Sequence, residues 1–311
     1  MIQYLKHNKI DLKKWDTLIS EHGMVYAHSW YLDVVNPKWE ALVLDDYEAV
    51  MPLTCGRKFG INYLYQPFFV QQLGVFSKQP LSSEMQAQFL NAIPKKFRYC
   101  EIKLNESSTF DDTVQGIEYH RNIVLDLSRD YETNRANYHT NTKRNLAKAE
   151  NNNIEISYGY RLTDVIKLFR ANRGAKVEVW GDAEYAMLER LRQILAPHNQ
   201  FFIVSIRPMD ENKLLCGGLY VMNDNRVTFL FSGCGEEGRR LNAMTLMMDE
   251  VIKDFSGKPY ILDFEGSDDN NLARFYLGFG GKEKPYPSYT FNRLSFFGKA
   301  ILNVWKRLRL K

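Results

Sequence analysis

The sequence has few cysteines, and their arrangement is not that of a cross-linked or metal-binding protein. Cys55, Cys100, Cys216 and Cys234 are widely separated, and no C-x-x-C pair occurs among them. The six histidines are equally scattered, and no H-E-x-x-H motif is present. Thiols spaced in this way are typical of a reducing compartment rather than of a disulfide framework or a zinc site. We therefore expect free thiols and no metal cofactor.

Long apolar runs are also missing. No uncharged apolar stretch approaches the roughly 20 residues that a membrane-spanning helix needs. The first residues, MIQYLKHNKIDLKKW, lack the apolar core of a secretory signal. The formal net charge of +4 is mild and does not by itself indicate a nucleic-acid partner, so we expect no DNA binding. These absences favour a cytoplasmic protein.

Motifs of several common enzyme classes are absent as well. No Walker loop, Rossmann fingerprint or serine–histidine–acid triad is recognisable. Apolar material for a core is plentiful, since 45% of the 311 residues are hydrophobic and 14% are aromatic. A chain of this length and composition typically forms two globular domains.

Hydrophobic periodicity predicts the same succession of elements twice along the chain. Each half reads as helices, three antiparallel strands, a helix, a strand and a closing strand. The pattern predicts an α/β (α+β) fold of two modules, residues 1–128 and 129–295, each a mixed, mostly antiparallel sheet flanked by helices. We expect residues 131–151 to form one long helix and residues 287–294 to close the second module.

Residues 296–311 form a third segment with helical apolar spacing and no acid. Its five positive charges are Lys299, Lys306, Arg307, Arg309 and Lys311. A basic amphipathic helix of this kind either docks its apolar stripe on its own protein or lies on an anionic membrane surface. We expect docking, with peripheral membrane contact as the alternative.

The stretch 228–281 reads as strand, glycine-rich turn, helix, strand, polar turn and short helix. The amides at a helix N-terminus, together with nearby arginines, suit a phosphate or pyrophosphate. A plain solvated turn is an equally good interpretation, because glycine-rich loops are common. The residues that would hold such a group are Gly235, Gly238, Arg239, Arg240, Leu241 and Asn242.

Four acids follow the second strand of this stretch. Asp263 and Glu265 are two residues apart, so they share one side of the strand. A carboxylate at a strand end beside a ligand can act as a general base. Asp268 and Asp269 are better explained as acids at the start of a helix. For Asp263 and Glu265 the catalytic and the structural interpretations both remain open.

Two further groups of residues are candidates for substrate binding. Arg144 and Lys148 lie one helical turn apart and could hold phosphates of a nucleotide sugar or of RNA, although a solvated charged face is the commoner outcome. Trp30 and Gln66 belong to a region rich in aromatic residues and glutamine. They could line a groove, and the alternative is a core role for the aromatic residues and a strand-edge role for the glutamines.

Four segments occur in an order that is specific when they are taken together. They are YLYQPFFVQQLGVF at residues 63–76, the helix predicted at 138–149, DFEG at 263–266 and FYLGFGG at 275–281. In these segments the chain resembles the FemAB-like branch of the GNAT acyltransferase superfamily. The resemblance extends from Ser29 to Leu294, and it implies two GNAT-like domains that transfer an acyl or aminoacyl group to an amine.

The resemblance also implies the substrates. The donor would be an acyl-CoA such as acetyl-CoA, or an aminoacyl-tRNA. The acceptor would be an amine on a small molecule or on a peptidoglycan-like cell-envelope precursor. Asp263 or Glu265 would accept the proton.

Two features depart from the family's pattern. Ala243 and Thr245 replace the glycines usual in the coenzyme A loop, and Tyr276 stands where a lysine is usual near the reacting carbonyl. We take Tyr276 as a third catalytic candidate. A binding module that keeps the fold without turnover is the alternative function.

Overall fold

The computed structural model describes residues 1–174, 180–266, 268–295 and 298–299. The chain divides into two compact units, one made of Met1–His120 with Pro285–Lys311 and the other of Arg121–Lys284. The basic helix predicted at 296–311 lies almost wholly outside the described residues. Within the described ranges, no helix is long and apolar enough to cross a bilayer.

The elements follow one another as helices and strands of ordinary length. The helices are α1 (Leu12–His22), α2 (Ser29–Val35), α3 (Ser83–Asn91), α4 (Tyr131–Ala136), α5 (Thr140–Glu150), α6 (Leu162–Ala171), α7 (Asp182–Leu195), α8 (Glu236–Arg240), α9 (Ala243–Phe255) and α10 (Asn270–Leu277). The strands are β1 (Ile2–Leu5), β2 (Glu40–Leu44), β3 (Ala49–Leu53), β4 (Cys55–Lys58), β5 (Ile61–Tyr65), β6 (Phe76–Ser77), β7 (Phe97–Lys103), β8 (Ile117–His120), β9 (Ile123–Asp126), β10 (Ile154–Ser157), β11 (Phe201–Pro208), β12 (Cys216–Asn223), β13 (Arg226–Cys234), β14 (Ile261–Asp263), β15 (Lys282–Glu283) and β16 (Tyr286–Asn292).

The strands form three sheets. In the first unit, one sheet has the order β1-β2-β3-β6 and a second has the order β4-β5-β7-β16-β8. The second unit contains a seven-stranded sheet with the order β10-β11-β12-β13-β14-β9-β15. Most neighbouring strands are antiparallel, and β13–β14 and β5–β7 are parallel pairs. The predicted α/β class with mixed, mostly antiparallel sheets flanked by helices is confirmed.

The last strand lies in a different unit from the one that its position in the sequence predicts. β16 pairs with β7 on one side and with β8 on the other, so it belongs to the first unit rather than closing the second. Tyr289 of β16 is buried in the same apolar cluster as Phe97 and Ile102. Conversely, β9, predicted in the first half, pairs with β14 and β15 of the second unit. The boundary therefore falls at His120–Arg121 instead of residue 128, because partners distant in sequence decide the pairing.

The seven-stranded sheet is packed on one face against α9 and on the other against α6. Met247 and Met248 of α9 lie in its apolar core. Phe169 of α6 lies 5.0 Å from Phe231 of β13 between ring centroids. At Gly233 a Cβ atom would be 2.6 Å from the Val165 carbonyl oxygen, so glycine permits α6 to approach the strand closely.

The helix predicted at 131–151 is interrupted. Asn137 ends α4 and its side chain donates to the Thr133 carbonyl, while the His139 amide donates to the Gly278 carbonyl. Helix α4 and the connection between the two helices are bonded to α9, since the hydroxyls of Tyr131 and Tyr138 donate to the Asp249 carboxylate at 2.7 and 2.9 Å. Burial raises the pKa of Asp249, and the two phenol hydrogen bonds oppose that rise.

Truncation after Lys284 tests the placement of β16. Removing this strand from between β7 and β8 exposes the apolar cluster around Tyr289, so we expect the first unit to lose cooperative unfolding while the second retains it. Urea denaturation followed by circular dichroism measures the change, and limited proteolysis identifies the surviving unit. A chain that ends after Ser295 keeps β16 and is the control. Persistent protection of residues 1–120 in the shorter chain would contradict the pairing.

Candidate active site

The second unit contains an opening between two parallel strands. β13 and β14 pair at three positions, Arg226–Ile261, Val227–Leu262 and Thr228–Asp263. Beyond this point β14 ends, whereas β13 continues to Cys234. From Phe229 onward β13 has left its ladder with β14. We call this unpaired edge of β13 the opening, and its narrow end is the point at which the ladder stops. Backbone groups along such an edge can bond to a ligand.

A β-bulge lies at the narrow end of this opening. Leu219 pairs with Phe231 and Tyr220 pairs with Phe229, so Leu230 is the extra residue on β13. A bulge takes backbone groups out of the ladder and re-aims them. An amide displaced in this way can donate a hydrogen bond to a developing oxyanion in the opening.

Asp263 closes the narrow end of the opening and is held in a buried ion pair. Its side chain is 1% exposed, and its Oδ2 lies 2.8 Å from both Nε and Nη2 of Arg226, whose side chain is 16% exposed. Oδ1 accepts from the Asn122 side-chain amide at 3.1 Å and from the Glu265 backbone amide at 2.9 Å. A carboxylate engaged in this way is suited to joining β13, β14 and β9. Of the two interpretations of Asp263, this geometry favours the structural one.

Glu265 lies two residues beyond β14 in a different environment. Its backbone has a φ of 48°, in the left-handed region, and the residue is half-buried. The following amide, of Gly266, donates to the Asn122 side-chain oxygen at 2.7 Å. Asp263 and Asn122 thus fix the turn that carries Glu265. The positive φ costs about 1 kcal/mol or more for a residue with a side chain, and these hydrogen bonds offset it.

Tyr276 is the second titratable group near this turn. It lies in α10, is 8% exposed, and its ring stacks on Phe264 with 4.9 Å between centroids. Burial and then the negative charge of Glu265 raise the pKa of the Tyr276 phenol, while Arg173 acts in the opposite direction. The phenol therefore keeps its proton and is a weaker acid than an ordinary tyrosine. Glu265 and Tyr276 are the two predicted catalytic residues that the structure brings together.

The glycine-rich segment after β13 forms helix α8 instead of an open loop. The amide of Gly235 donates to the Leu215 carbonyl at 3.0 Å, and the amide of Leu241 donates to the Glu237 carbonyl at 2.9 Å. These predicted phosphate ligands are thus occupied within the protein. Gly238 has a packing role, because a Cβ there would lie 2.3 Å from the Leu215 carbonyl oxygen.

The two predicted arginines of this segment differ in their surroundings. Arg239 donates from Nη1 to the Cys234 carbonyl at 2.8 Å, and the hydrogen bond from the Cys216 thiol and the charge of Arg239 lower the pKa of Cys234. Arg240 has a side chain that is 72% exposed and lies 3.9 Å from Glu237. Arg240 is therefore the more accessible cation for a ligand.

The start of α9 is the better position for an anion. Asn242 caps this helix with a φ of 56°, and no acid lies in the first turn. Its own amide donates to the Arg239 carbonyl at 3.2 Å. The amides of Ala243 and Met244 are those that a helix leaves without intrahelical partners.

The predicted substrate-binding residues are divided between the two units. Arg144 and Lys148 are exposed on α5, and Arg144 donates to the Asn141 side chain at 2.6 Å. Trp30 belongs to the first unit and stacks on His28 at 4.8 Å. Gln66, also in the first unit, donates to the Val70 carbonyl at 3.0 Å and accepts from the Lys103 amide at 2.8 Å. Gln66 therefore has the strand-edge role that was the alternative to lining a groove.

Three contributors to the opening are not predicted from the sequence. Leu230 lies within an ordinary apolar run that carries no local sign of a bulge, and Asn122 lies between two predicted strand residues. Arg226 offers one usable signal, since a cation at the first position of a buried strand requires a counter-charge.

Replacing Asp263 with asparagine tests the role of the buried ion pair. The change removes the carboxylate charge that lies 2.8 Å from Nε and Nη2 of Arg226, so we expect the free energy of unfolding to fall by about 3–5 kcal/mol. Urea unfolding of the full chain measures this loss. Arg240→Gln removes an exposed charge and is the control, with an expected change of about 0.5 kcal/mol or less. Equal stability of the two variants would show that the ion pair does not hold the strands.

The fold has counterparts among solved structures. FemX matches with a TM-score of 0.67 at 10% sequence identity, over 94% of this chain and 98% of that chain. A tandem GNAT protein from the clavulanic acid biosynthesis pathway gives 0.53 at 9% identity, over 95% and 99%. L-PGS from Bacillus licheniformis gives 0.52 at 9% identity, over 96% and 96%.

Comparison of the sequence alone finds no match. No protein-family model matches the chain, and no curated protein matches it. At about one identical residue in ten, the structural likeness concerns the fold. The predicted resemblance to FemAB-like GNAT proteins is confirmed at that level, and the chain has a tandem GNAT-like fold.

Proposed function

We propose that the chain is an N-acyltransferase that moves an acyl or aminoacyl group from an activated carrier to an amine. The observation that carries this proposal is the opening between β13 and β14, with the bulge at Leu230 at its narrow end. An extended acyl carrier can bond to the free edge of β13 in the way that an added strand would. The fold shared with FemX and with a tandem GNAT protein supports the same reaction class.

The reaction is a direct attack of the amine nitrogen on the carbonyl carbon of the donor. A carbon–nitrogen bond forms, and the carbon–sulfur bond of a thioester or the carbon–oxygen bond of an aminoacyl ester breaks. The backbone amide displaced at the bulge stabilises the negative charge that develops on the carbonyl oxygen.

Two side chains handle the protons. Glu265 accepts the proton that the attacking amine loses, and Tyr276 donates a proton to the departing thiolate or alkoxide. Asp263 remains in its ion pair with Arg226 and orients the turn that carries Glu265. Of the predicted carboxylate pair, Glu265 is thus the base and Asp263 is a positioning residue.

The phosphates of the donor would lie at the N-terminus of α9. By helix geometry the amides of Ala243 and Met244 lack intrahelical partners, and Arg240 is an exposed cation on the preceding helix. Acetyl-CoA is the simplest donor, and an aminoacyl-tRNA is the other. The acceptor is an amine of a small molecule or of a peptidoglycan-like precursor, and we place the reaction in the cytoplasm.

A binding module without turnover is the second candidate function. It is favoured by Ala243 and Thr245, which are 0% and 4% exposed where a glycine-rich coenzyme A loop would approach a pyrophosphate. It is also favoured by Glu236 and Glu237, which place two acids in the first turn of α8.

Conservative substitutions test the two proton-transfer roles. Because Tyr276 is neutral across the working pH range, Tyr276→Phe should lower the rate by a factor of about 100 to 10,000 without moving the basic limb of the pH–rate profile. Glu265→Gln should lower the rate most at neutral pH and less at high pH, where the amine has already lost its proton. Steady-state rates across pH measure both effects.

The matched control is Tyr158→Phe. Tyr158 is another phenol whose pKa is raised by burial and by nearby acids, but it follows β10 at the far edge of the sheet. Its replacement should leave the rate unchanged. Full activity of Tyr276→Phe would exclude Tyr276 as the proton donor.

The donor can be identified by two parallel measurements. Incubation with acetyl-CoA and a panel of primary amines should release free thiol if acetyl-CoA is the donor, and binding without thiol release would favour the second candidate function. If tRNA is the donor, binding should weaken steeply with salt, and Arg144→Gln with Lys148→Gln should reduce the slope by about one for each phosphate contact removed. Absence of tRNA binding at low salt would exclude that donor.

A further inference from the structure

The hairpin formed by β4 and β5 has an unusual tip. Lys58 pairs with Ile61, which leaves Phe59 and Gly60 as a two-residue turn. Both have positive φ, 51° and 78°, as a type I′ turn requires. Asn, Asp or Gly normally occupies the first of these positions, because a bulky side chain in the left-handed region is strained. A phenylalanine there is locally unfavourable.

The phenylalanine also projects into solvent. Phe59 is 75% exposed, and a Cβ atom on Gly60 would meet no atom within 4 Å. β4 is the edge strand of the five-stranded sheet, so the turn stands at a border of the first unit's sheet. The hairpin therefore presents a large apolar ring at an open tip.

Basic residues flank this ring without an acid in the same segment. Arg57 and Lys58 are both exposed, and Lys58 Nζ lies 5.6 Å from the centroid of the Phe59 ring. From Ala49 to Ser83 the sequence contains no aspartate or glutamate. The tip thus combines an exposed aromatic ring with two positive charges.

We propose that this tip is a contact site for an anionic lipid surface. The Phe59 ring would enter the boundary between headgroups and acyl chains, where burial removes it from water. Arg57 and Lys58 would then lie at the level of the anionic headgroups, which attract basic side chains close to a membrane.

Single-stranded nucleic acid also binds aromatic and basic residues, but this tip suits it less. Bases stack on an open ring face along a track of several charges. Here Lys58 lies over the ring, and the hairpin supplies two charges. The lipid assignment does not depend on the proposed transferase activity, although a membrane-borne acceptor amine would be compatible with both.

Vesicle binding by the full chain tests the proposal. Sedimentation with phosphatidylcholine vesicles, with and without one third phosphatidylglycerol, should show binding that depends on the anionic lipid. Phe59→Asn should weaken binding about tenfold, because it removes the ring's transfer into the interface. It should not lower the midpoint of thermal unfolding, since asparagine tolerates the left-handed region. The pair Arg57→Gln and Lys58→Gln should weaken binding about 25-fold at low salt, about fivefold for each charge.

The control is Tyr119→Asn. Tyr119 is another exposed aromatic residue, 59% accessible, on β8 at the opposite edge of the same sheet. Its replacement should leave vesicle binding unchanged. Wild-type affinity in Phe59→Asn, or equal affinity for neutral and anionic vesicles, would overturn the proposal. Binding to tRNA that is lost in Phe59→Asn, with no binding to vesicles, would assign the tip to nucleic acid instead.

Discussion

The candidate site depends on the buried ion pair between Arg226 and Asp263. It joins the first residue of β13 to the last residue of β14, and through the Asn122 side chain it also reaches the loop before β9. The parallel ladder between β13 and β14 comprises only three residue pairs, which provide few backbone hydrogen bonds. Removal of one partner of a buried ion pair is strongly destabilising, because the remaining charge loses its counter-charge. The ion pair thereby keeps the strands together at one end and lets them separate at the other.

The packing of α6 is a second reason why β13 and β14 separate. Gly233 allows this helix to lie directly against β13, and Phe169 meets Phe231 there. The bulge at Leu230 lies between this packed region and the ladder with β14. A bulge bends its strand and increases the local twist, so β13 turns away from β14 where pairing ends. The opening is thus a consequence of pairing, packing and twist, and needs no flexible loop.

Local sequence patterns predicted α9, most strands and the fold class, because periodicity and turn residues act over short distances. They did not predict that β16 joins the first unit, since Tyr289 and its partners in β7 are distant in sequence. The packing of Gly235 and Gly238 was not predicted for a related reason. Both glycines lie close to Leu215. A local sequence pattern carries no information about a contact with a residue so distant in sequence. The choice between base and structural residue at Asp263 likewise depended on Arg226, 37 residues away.

At position 276 the chain has a tyrosine where the family it resembles usually has a lysine. The local environment explains this difference. Tyr276 is 8% exposed and stacks on Phe264, and a lysine buried in this way would be driven toward its uncharged form. The same burial, with Glu265 nearby, stabilises the neutral phenol and preserves its proton. The surroundings that would weaken electrostatic assistance by a lysine therefore keep a tyrosine protonated at this position. In the proposed mechanism, the bulge amide would stabilise the oxyanion, and the side chains of the β14 turn and α10 would transfer the protons.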